Sequence, residues 1–104
     1  MARYGYVSIN INKKVKGDRT PLFYACLSGD EAVVKYLVEV GADVNETANN
    51  GNSPLHNACF CGKEVIVKYL IKHGADINKA DDNGKTPLFY ACLSGNEALV
   101  KYFV

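Results

Sequence analysis

Apolar residues recur at helical spacing in three parts of the chain, with polar residues between them. In the middle part, Ile66, Val67, Leu70 and Ile71 form one apolar stripe, which predicts an amphipathic helix from about Lys63 to His73. Two further stripes have the same spacing, and all three are expected to face a core. The other stripes are Val33, Val34, Leu37 and Val38, and Leu99, Val100, Phe103 and Val104.

A shorter helix is predicted before each amphipathic helix. In the middle part, Ser53 is a good N-cap, Pro54 suits the first helical position, and Gly62 ends the helix after about two turns. A helix of that length is unstable alone in water, so it must pack on neighbours. The same reasoning makes Thr86 an N-cap, and its loss should reduce the free energy of unfolding by about 1 kcal/mol.

The whole pattern repeats. The segment TPLFYACLSG begins at Thr20 and again at Thr86, a looser copy, SPLHNACFCG, begins at Ser53, and the prolines of the three copies stand 33 residues apart. Asn-Gly dipeptides such as Asn83-Gly84 predict reversing turns between the units. A unit of turn, short helix and longer helix cannot bury its own stripe, so copies must stack as a solenoid.

These residues resemble the ankyrin repeat, a unit of about 33 residues with a TPLH-x-A motif and a closing GADVN. The motifs here are TPLFYA, SPLHNA and TPLFYA, followed by GADVN at Gly41–Asn45 and GADIN at Gly74–Asn78. The resemblance implies an all-α ankyrin-repeat solenoid of stacked helix-turn-helix units with projecting β-turn or hairpin loops. It divides one domain, 1–104, into a degenerate partial repeat (1–16), two repeats (17–49 and 50–82) and a truncated repeat (83–104).

The chain departs from this motif in places. The motif histidine occurs only as His56, and Phe23 and Phe89 at the equivalent positions are expected to be buried by aromatic packing. Asp18 stands where the other turns have Gly51 and Gly84, so an irregular first turn is expected. In this register the chain begins and stops inside second helices, as a segment of a longer array would. Self-association through those ends is one hypothesis.

Composition and charge argue against several classes of function. The net charge is +1, so no basic field indicates nucleic acid, and the cluster of Lys13, Lys14, Lys16 and Arg19 is interpreted as a solvated loop rather than a phosphate site. No apolar run reaches the roughly 20 residues of a membrane span. The cysteines Cys26, Cys59 and Cys92 repeat with the units, which favours buried thiols over disulfides and an intracellular, cytoplasmic location.

Catalytic chemistry has little support in the sequence. His56 and His73 fall at helix positions without a repeated acid or nucleophile nearby, and no glycine-rich phosphate loop is present. The CFC segment spaces Cys59 and Cys61 too closely for an ordinary zinc ligand pair, so Cys59 is assigned to the core and Cys61 to a partly exposed site. The expectation is a protein that is not an enzyme and has no cofactor or metal.

The resemblance implies a surface that binds another protein, on the concave side formed by turn tips and first helices. Phe60, Tyr24, Tyr90 and Arg19 are the expected anchors, although the tyrosines could equally fill gaps between helices. A tyrosine ladder, Tyr36, Tyr69 and Tyr102, is interpreted as outer helical face. The alternative to a binding scaffold is a structural segment that self-assembles. The partner-binding candidates are Arg19, Tyr24, Leu27, Ser28, Asn49, Asn50, Asn52, Asn57, Phe60, Cys61, Asp82, Asn83, Lys85, Tyr90, Leu93 and Ser94.

Overall fold

The computed structural model describes residues 10–104, and the secondary structure of that part of the chain is helical. The helices form three pairs, and we call each pair with its preceding turn a repeat. Within residues 10–104 the only strand-like pairing is an isolated bridge between Val15 and Arg19. The all-α fold is therefore confirmed. The helices are α1 (Pro21–Ser28), α2 (Glu31–Glu39), α3 (Pro54–Phe60), α4 (Glu64–Lys72), α5 (Pro87–Ser94) and α6 (Glu97–Phe103).

Side-chain caps form at the start of two of the three short helices. The Thr20 hydroxyl accepts a hydrogen bond from the Phe23 N–H at 3.2 Å, and Ser53 forms a reciprocal capping box with His56. Thr86 has the extended backbone of an N-cap, but its side chain makes no capping hydrogen bond. The expectation of a stabilising cap at Thr86 is therefore wrong.

The first helices of the three pairs, α1, α3 and α5, which we call the short helices, stack side by side, and the second helices cover them. Helix α3 contacts both α1 and α5, and α4 contacts α2 and α3. This stacking gives helices of seven to nine residues the neighbours that they need for stability. The core is continuous through the three repeats and includes Leu22, Cys26, Val34, Leu55, Cys59, Ile66, Val67, Leu70, Ala91 and Leu99.

The apolar stripes are buried most completely in the middle repeat. Ile66, Val67 and Leu70 are buried, and Ile71 is partly buried against them. Two predicted core residues in the outer repeats are exposed instead. Val33 lies on α2, which has a described second-helix neighbour, α4, on one side only, and Val104 follows the last residue of α6.

Burial differs between the identical segments of the first and third repeats. Phe23 is 6% exposed, as predicted, whereas Phe89 is 44% exposed, so the prediction of burial at Phe89 is wrong. Cys26 is buried and Cys92 is exposed, which also corrects the expectation for Cys92. The physical reason is position in the stack, because the second repeat covers the first and no described repeat covers the third.

Asparagine side chains connect each repeat to the next at the GADVN segments. Asn45 donates from Nδ2 to the Gly74 carbonyl oxygen and accepts from the Asp76 N–H, both at 2.9 Å. Asn12 makes the same two bonds one repeat earlier, to Gly41 and Asp43. These side chains satisfy backbone groups after the second helices and fix the spacing of the repeats.

The first turn is irregular, as expected. Both Gly17 (φ 84°) and Asp18 (φ 58°) adopt left-handed backbone, whereas the equivalent position of the second turn uses Gly51 alone (φ 81°). The first turn nevertheless joins the stack, since the Asn49 N–H donates to the Gly17 carbonyl oxygen at 2.9 Å. The Asp82 N–H donates to the Asn50 carbonyl oxygen at 3.0 Å in the same way.

The outer face carries the expected tyrosine ladder. The ammonium group of Lys35 lies 5.8 Å from the centre of the Tyr69 ring, and that of Lys68 lies 5.1 Å from the Tyr102 ring. Each contact joins neighbouring repeats. None of the helices within residues 10–104 is both long enough and apolar enough to cross a membrane.

Candidate protein-binding surface

Large apolar side chains stand exposed at the same position of each short helix. Leu27, Phe60 and Leu93 are 44%, 54% and 56% exposed. Since α1 contacts α3 and α3 contacts α5, the three side chains form a row across the stack. We call the exposed side chains Tyr24, Leu27, Phe60 and Leu93, the half-buried Tyr90 and the adjoining turn tips the first-helix surface.

The turn tips supply the polar part of this surface. Arg19, Asn49, Asn50, Asp82 and Asn83 are exposed, and backbone hydrogen bonds between adjacent turns hold their main chains in place. Two other candidates at the base of the turns, Asn52 and Lys85, are half-buried. The tips are therefore both accessible and ordered.

The two tyrosines of the surface have different environments. Tyr90 donates a hydrogen bond from its hydroxyl to Asp81 Oδ2, and its ring packs edge-on against His56 and Phe60. Its pKa is raised, first by that hydrogen bond and then by burial. Tyr24 is exposed and packs edge-on against Phe23. Tyr90 thus supports the surface from within, while Tyr24 is available to a partner.

Asn57 occupies the equivalent place in the second repeat, but it is buried. Its amide nitrogen has no hydrogen-bond partner within residues 10–104. The Asn57 side chain is shorter than Tyr24 and Tyr90, which occupy the equivalent positions in the other two repeats. The surface is therefore lower at Asn57, and the exposed Phe60 lies beside it. The exposed area at this point belongs to Phe60 rather than to Asn57.

The remaining candidates lie at the ends of the short helices. The hydroxyls of Ser28 and Ser94 donate to the carbonyl oxygens of Ala25 and Ala91, at 2.9 and 2.6 Å. The Cys61 thiol points back to the Leu27 carbonyl oxygen at 3.7 Å, and Cys61 is partly exposed as predicted. These side chains satisfy local backbone groups and border the apolar row.

A depression of about 370 Å³ lies between the first two turns. Its lining consists of Lys16, Gly17, Arg19, Tyr24 and Asn49. The Arg19 guanidinium is also 5.3 Å from the centre of the Phe23 ring. The depression is therefore lined by two cationic residues together with Tyr24 and Asn49, at one end of the first-helix surface.

Asp81 is a residue that the sequence analysis did not single out. Its Oδ1 atom accepts from the N–H groups of Asn83 and Lys85, both at 2.9 Å, and Oδ2 accepts from Tyr90. Burial opposes ionisation, but these hydrogen bonds outweigh it and hold the carboxyl pKa below its usual value. An Asp two residues before Asn83 is a signal for this turn-stabilising role.

His56 is committed to structure. Because the Ser53 N–H donates to Nδ1 at 3.0 Å, the neutral ring carries its proton on Nε2, which donates to the Lys85 carbonyl oxygen at 3.0 Å. Burial lowers the pKa of His56, and the hydrogen bond to Lys85 partly opposes that effect. Both ring nitrogens are occupied, which leaves neither free for acid-base chemistry.

The cysteines have little nucleophilic character in the core. Burial raises the pKa of Cys26 and of Cys59 to about 12, so neither is a thiolate near neutral pH. All four thiols are free. Among residues 10–104 there is no group of three or more His, Cys, Asp or Glu side chains placed to hold a metal ion.

Comparison with known families agrees with this architecture. A family model described as ankyrin repeats in three copies matches residues 40–104, and a model of a single ankyrin repeat matches residues 17–46. The matches span the three helix pairs, the turns between them and the asparagine-linked segments. The chain therefore belongs to the ankyrin repeat family.

Proposed function

We propose that this protein binds another protein through the first-helix surface and performs no chemistry itself. Ankyrin repeats are generally protein–protein interaction modules, and the family is generally non-catalytic. The observation that carries the proposal is the row of Leu27, Phe60 and Leu93, three large apolar side chains exposed at one position of successive repeats. An exposed apolar row with polar rims is the usual appearance of an interaction site.

The energetics of association favour this surface because much of it is ordered before binding. Ordering loops and side chains costs free energy on association, and a rigid surface avoids part of that cost. Here the turn tips are joined by backbone hydrogen bonds, and the Phe60 ring packs against Tyr90 at a centroid distance of 6.2 Å. Phe60 is thus an aromatic anchor that is already positioned.

The candidate residues divide into roles under this proposal. Arg19, Tyr24, Leu27, Phe60 and Leu93 contact the partner directly, as anchors or as apolar area. The half-buried Tyr90 and the buried Asn57 support these residues from below. The polar rim consists of Ser28, Asn49, Asn50, Asn52, Cys61, Asp82, Asn83, Lys85 and Ser94.

The test is capture of partner proteins by immobilised wild-type protein, compared with Phe60→Ala. The matched control is Tyr36→Ala, which removes another exposed aromatic ring from the outer helical face. The proposal expects Phe60→Ala to lose the captured proteins with an unchanged melting temperature, and Tyr36→Ala to keep them. It is wrong if Tyr36→Ala loses the partners and Phe60→Ala retains them.

Self-association is a second candidate function, and a different observation favours it. Phe89 and Cys92 are exposed in the third repeat, while the identical residues of the first repeat are buried beneath the second repeat. The first-helix segment of the uncovered face therefore has the same sequence as one that already packs on an ankyrin repeat. A second copy of the chain could supply that repeat.

Light scattering over a wide range of protein concentrations tests the second candidate. Self-association predicts a mass that rises with concentration and returns to the monomer value in Phe89→Glu. Phe60→Glu is the matched control, because it places the same charge on the first-helix surface instead. A monomer at all concentrations would exclude this candidate and leave the first intact.

A further inference from the structure

Resting on the proposed function, we infer the chemistry of the partner: a polypeptide segment with an acidic side chain at one end, followed by apolar side chains. The acidic group binds in the depression beside Lys16 and Arg19, and the apolar side chains lie along Leu27, Phe60 and Leu93. This assigns a role to the basic cluster of the first turn, and it sets the direction in which the segment crosses the repeats.

Charge is distributed unevenly along the row of turns. The first turn carries Lys13, Lys14, Lys16 and Arg19 against a single acid, Asp18. The ammonium of Lys14 already pairs with Glu46 at 2.6 Å, but within residues 10–104 no carboxylate forms an ion pair with Lys16 or Arg19. The first end of the first-helix surface is therefore electropositive and has cations available to a ligand.

The other turns do not share this charge. The second turn tip consists of Asn49, Asn50, Gly51 and Asn52, and the third carries two acids, Asp81 and Asp82, with one cation, Lys85. An acidic side chain is attracted to the first turn and repelled at the third. The charges of the turns therefore favour a single orientation of an acidic segment on the stack.

Arg19 contacts its own repeat before any ligand binds. Its guanidinium lies 5.3 Å from the centre of the Phe23 ring, and a Cβ added at Gly17 would be 3.2 Å from Arg19 Nε. A guanidinium that already makes such contacts loses less freedom on binding a carboxylate than one free in solvent. Its planar N–H groups suit the two oxygens of that carboxylate.

The depression and the apolar row are joined. Tyr24 lines the depression and precedes Leu27 by three residues on α1, so the two side chains share a helix face. Helices that pack in contact lie roughly 8–10 Å apart, which sets the interval between Leu27, Phe60 and Leu93. A segment in the polyproline II conformation matches that interval, because it rises about 3.1 Å per residue and brings every third side chain to the same face.

The experiment uses a phage-displayed library of random peptides of about 15 residues, long enough to cross the row as a strand or as a helix. Peptides are selected on the full chain, and their dissociation constants are then measured by fluorescence anisotropy. We expect the enriched peptides to share Asp or Glu at one end and apolar residues after it. Replacing the shared acid by its amide is expected to weaken binding at least about tenfold.

Variants of the protein separate the two parts of the inference. Arg19→Gln is expected to weaken the selected peptides at least about tenfold, with Arg19→Lys recovering part of the affinity. Lys68→Gln is the matched control, because Lys68 is also an exposed cation over an aromatic ring, that of Tyr102, but it lies on the outer helical face. Lys68→Gln should leave the affinity almost unchanged, and melting temperatures confirm that each variant is folded.

Three results would overturn the inference, and they have different meanings. Peptides that need Phe60 but contain no shared acid and ignore Arg19→Gln overturn the acidic segment while leaving the proposed function intact. Enrichment of acidic peptides that ignore Phe60→Ala overturns the apolar part and indicates simple attraction to the basic turn. Selection of peptides that ignore both Phe60→Ala and Arg19→Gln overturns this inference and the proposed function together.

Discussion

The Nε2 atom of His56 lies 3.0 Å from the carbonyl oxygen of Lys85, which is 29 residues later in the chain and belongs to the next repeat. The same ring accepts the Ser53 N–H at the start of its own helix. One imidazole therefore caps α3 and joins the second repeat to the third turn. The bond from Ser53 needs the neutral ring, because a proton on Nδ1 would face the Ser53 N–H, whereas Nε2 can donate to Lys85 in either protonation state.

Acidification should destabilise the protein through His56. Burial lowers the pKa of His56 in the folded state, so the unfolded chain binds the proton more readily. The contribution is fully present above about pH 6.5, the ordinary value for histidine, and is lost as the pH falls through the lower folded pKa. Urea unfolding at several pH values between about 5 and 7 measures this loss of stability. That pH range lies above the one in which most carboxylates titrate.

His56→Gln should flatten this pH dependence, since glutamine can take the same capping position without ionising. His73→Gln is the control, because His73 is exposed at the C-cap of α4. An unchanged pH dependence in His56→Gln, or its loss in His73→Gln, would show that His56 is not responsible.

Loss of a cap should matter at Thr20 and not at Thr86. The two threonines begin identical ten-residue segments, but only Thr20 accepts a hydrogen bond from the backbone of its helix. Thr20→Ala is expected to reduce the free energy of unfolding by about 1 kcal/mol, and Thr86→Ala by much less. Chemical denaturation of the two variants makes the comparison, and equal losses would contradict it.

The phenylalanines of these segments provide a second matched pair. Phe23→Ala removes a buried ring and should cost about 3 kcal/mol, whereas Phe89→Ala removes an exposed ring and should cost less than about 1 kcal/mol. If Phe23→Ala does not fold, Phe23→Leu and Phe89→Leu give the same comparison with a smaller loss of stability. A larger loss at Phe89 than at Phe23 would mean that the third repeat is covered in solution.

Thiol reactivity should follow position in the stack. Cys92 is exposed and Cys61 partly exposed, while Cys26 and Cys59 are buried with pKa values raised to about 12. A colorimetric disulfide reagent near neutral pH should therefore label Cys92 rapidly, Cys61 more slowly, and the other two only on unfolding. Cys92→Ser should remove the fast phase. Rapid labelling of Cys26 in the native protein would contradict the packing described above.

The repeat architecture could be predicted from the sequence because it depends on local signals. Helix starts at Pro21, Pro54 and Pro87 and the apolar stripe of α4 follow from residue type and spacing alone. The irregular first turn was predictable from Asp18, since a non-glycine residue there forces a change of backbone.

Burial in the outer repeats could not be predicted in this way. Phe23 and Phe89 have the same neighbours in sequence, so the difference between them arises only from which repeat is covered. The role of Asp81 depends on contact with Tyr90, nine residues away, and the depression beside Arg19 depends on two turns coming together. These features are tertiary, and a repeating sequence pattern carries little information about them.

The most direct test of the central claim is the affinity of the wild-type protein, Phe60→Ala and Tyr36→Ala for the most abundant captured partner, measured by isothermal titration calorimetry. The first-helix surface predicts that Phe60→Ala weakens binding at least about tenfold and that Tyr36→Ala leaves it unchanged. If Tyr36→Ala weakens binding and Phe60→Ala does not, the partner binds the outer helical face and the claim is wrong.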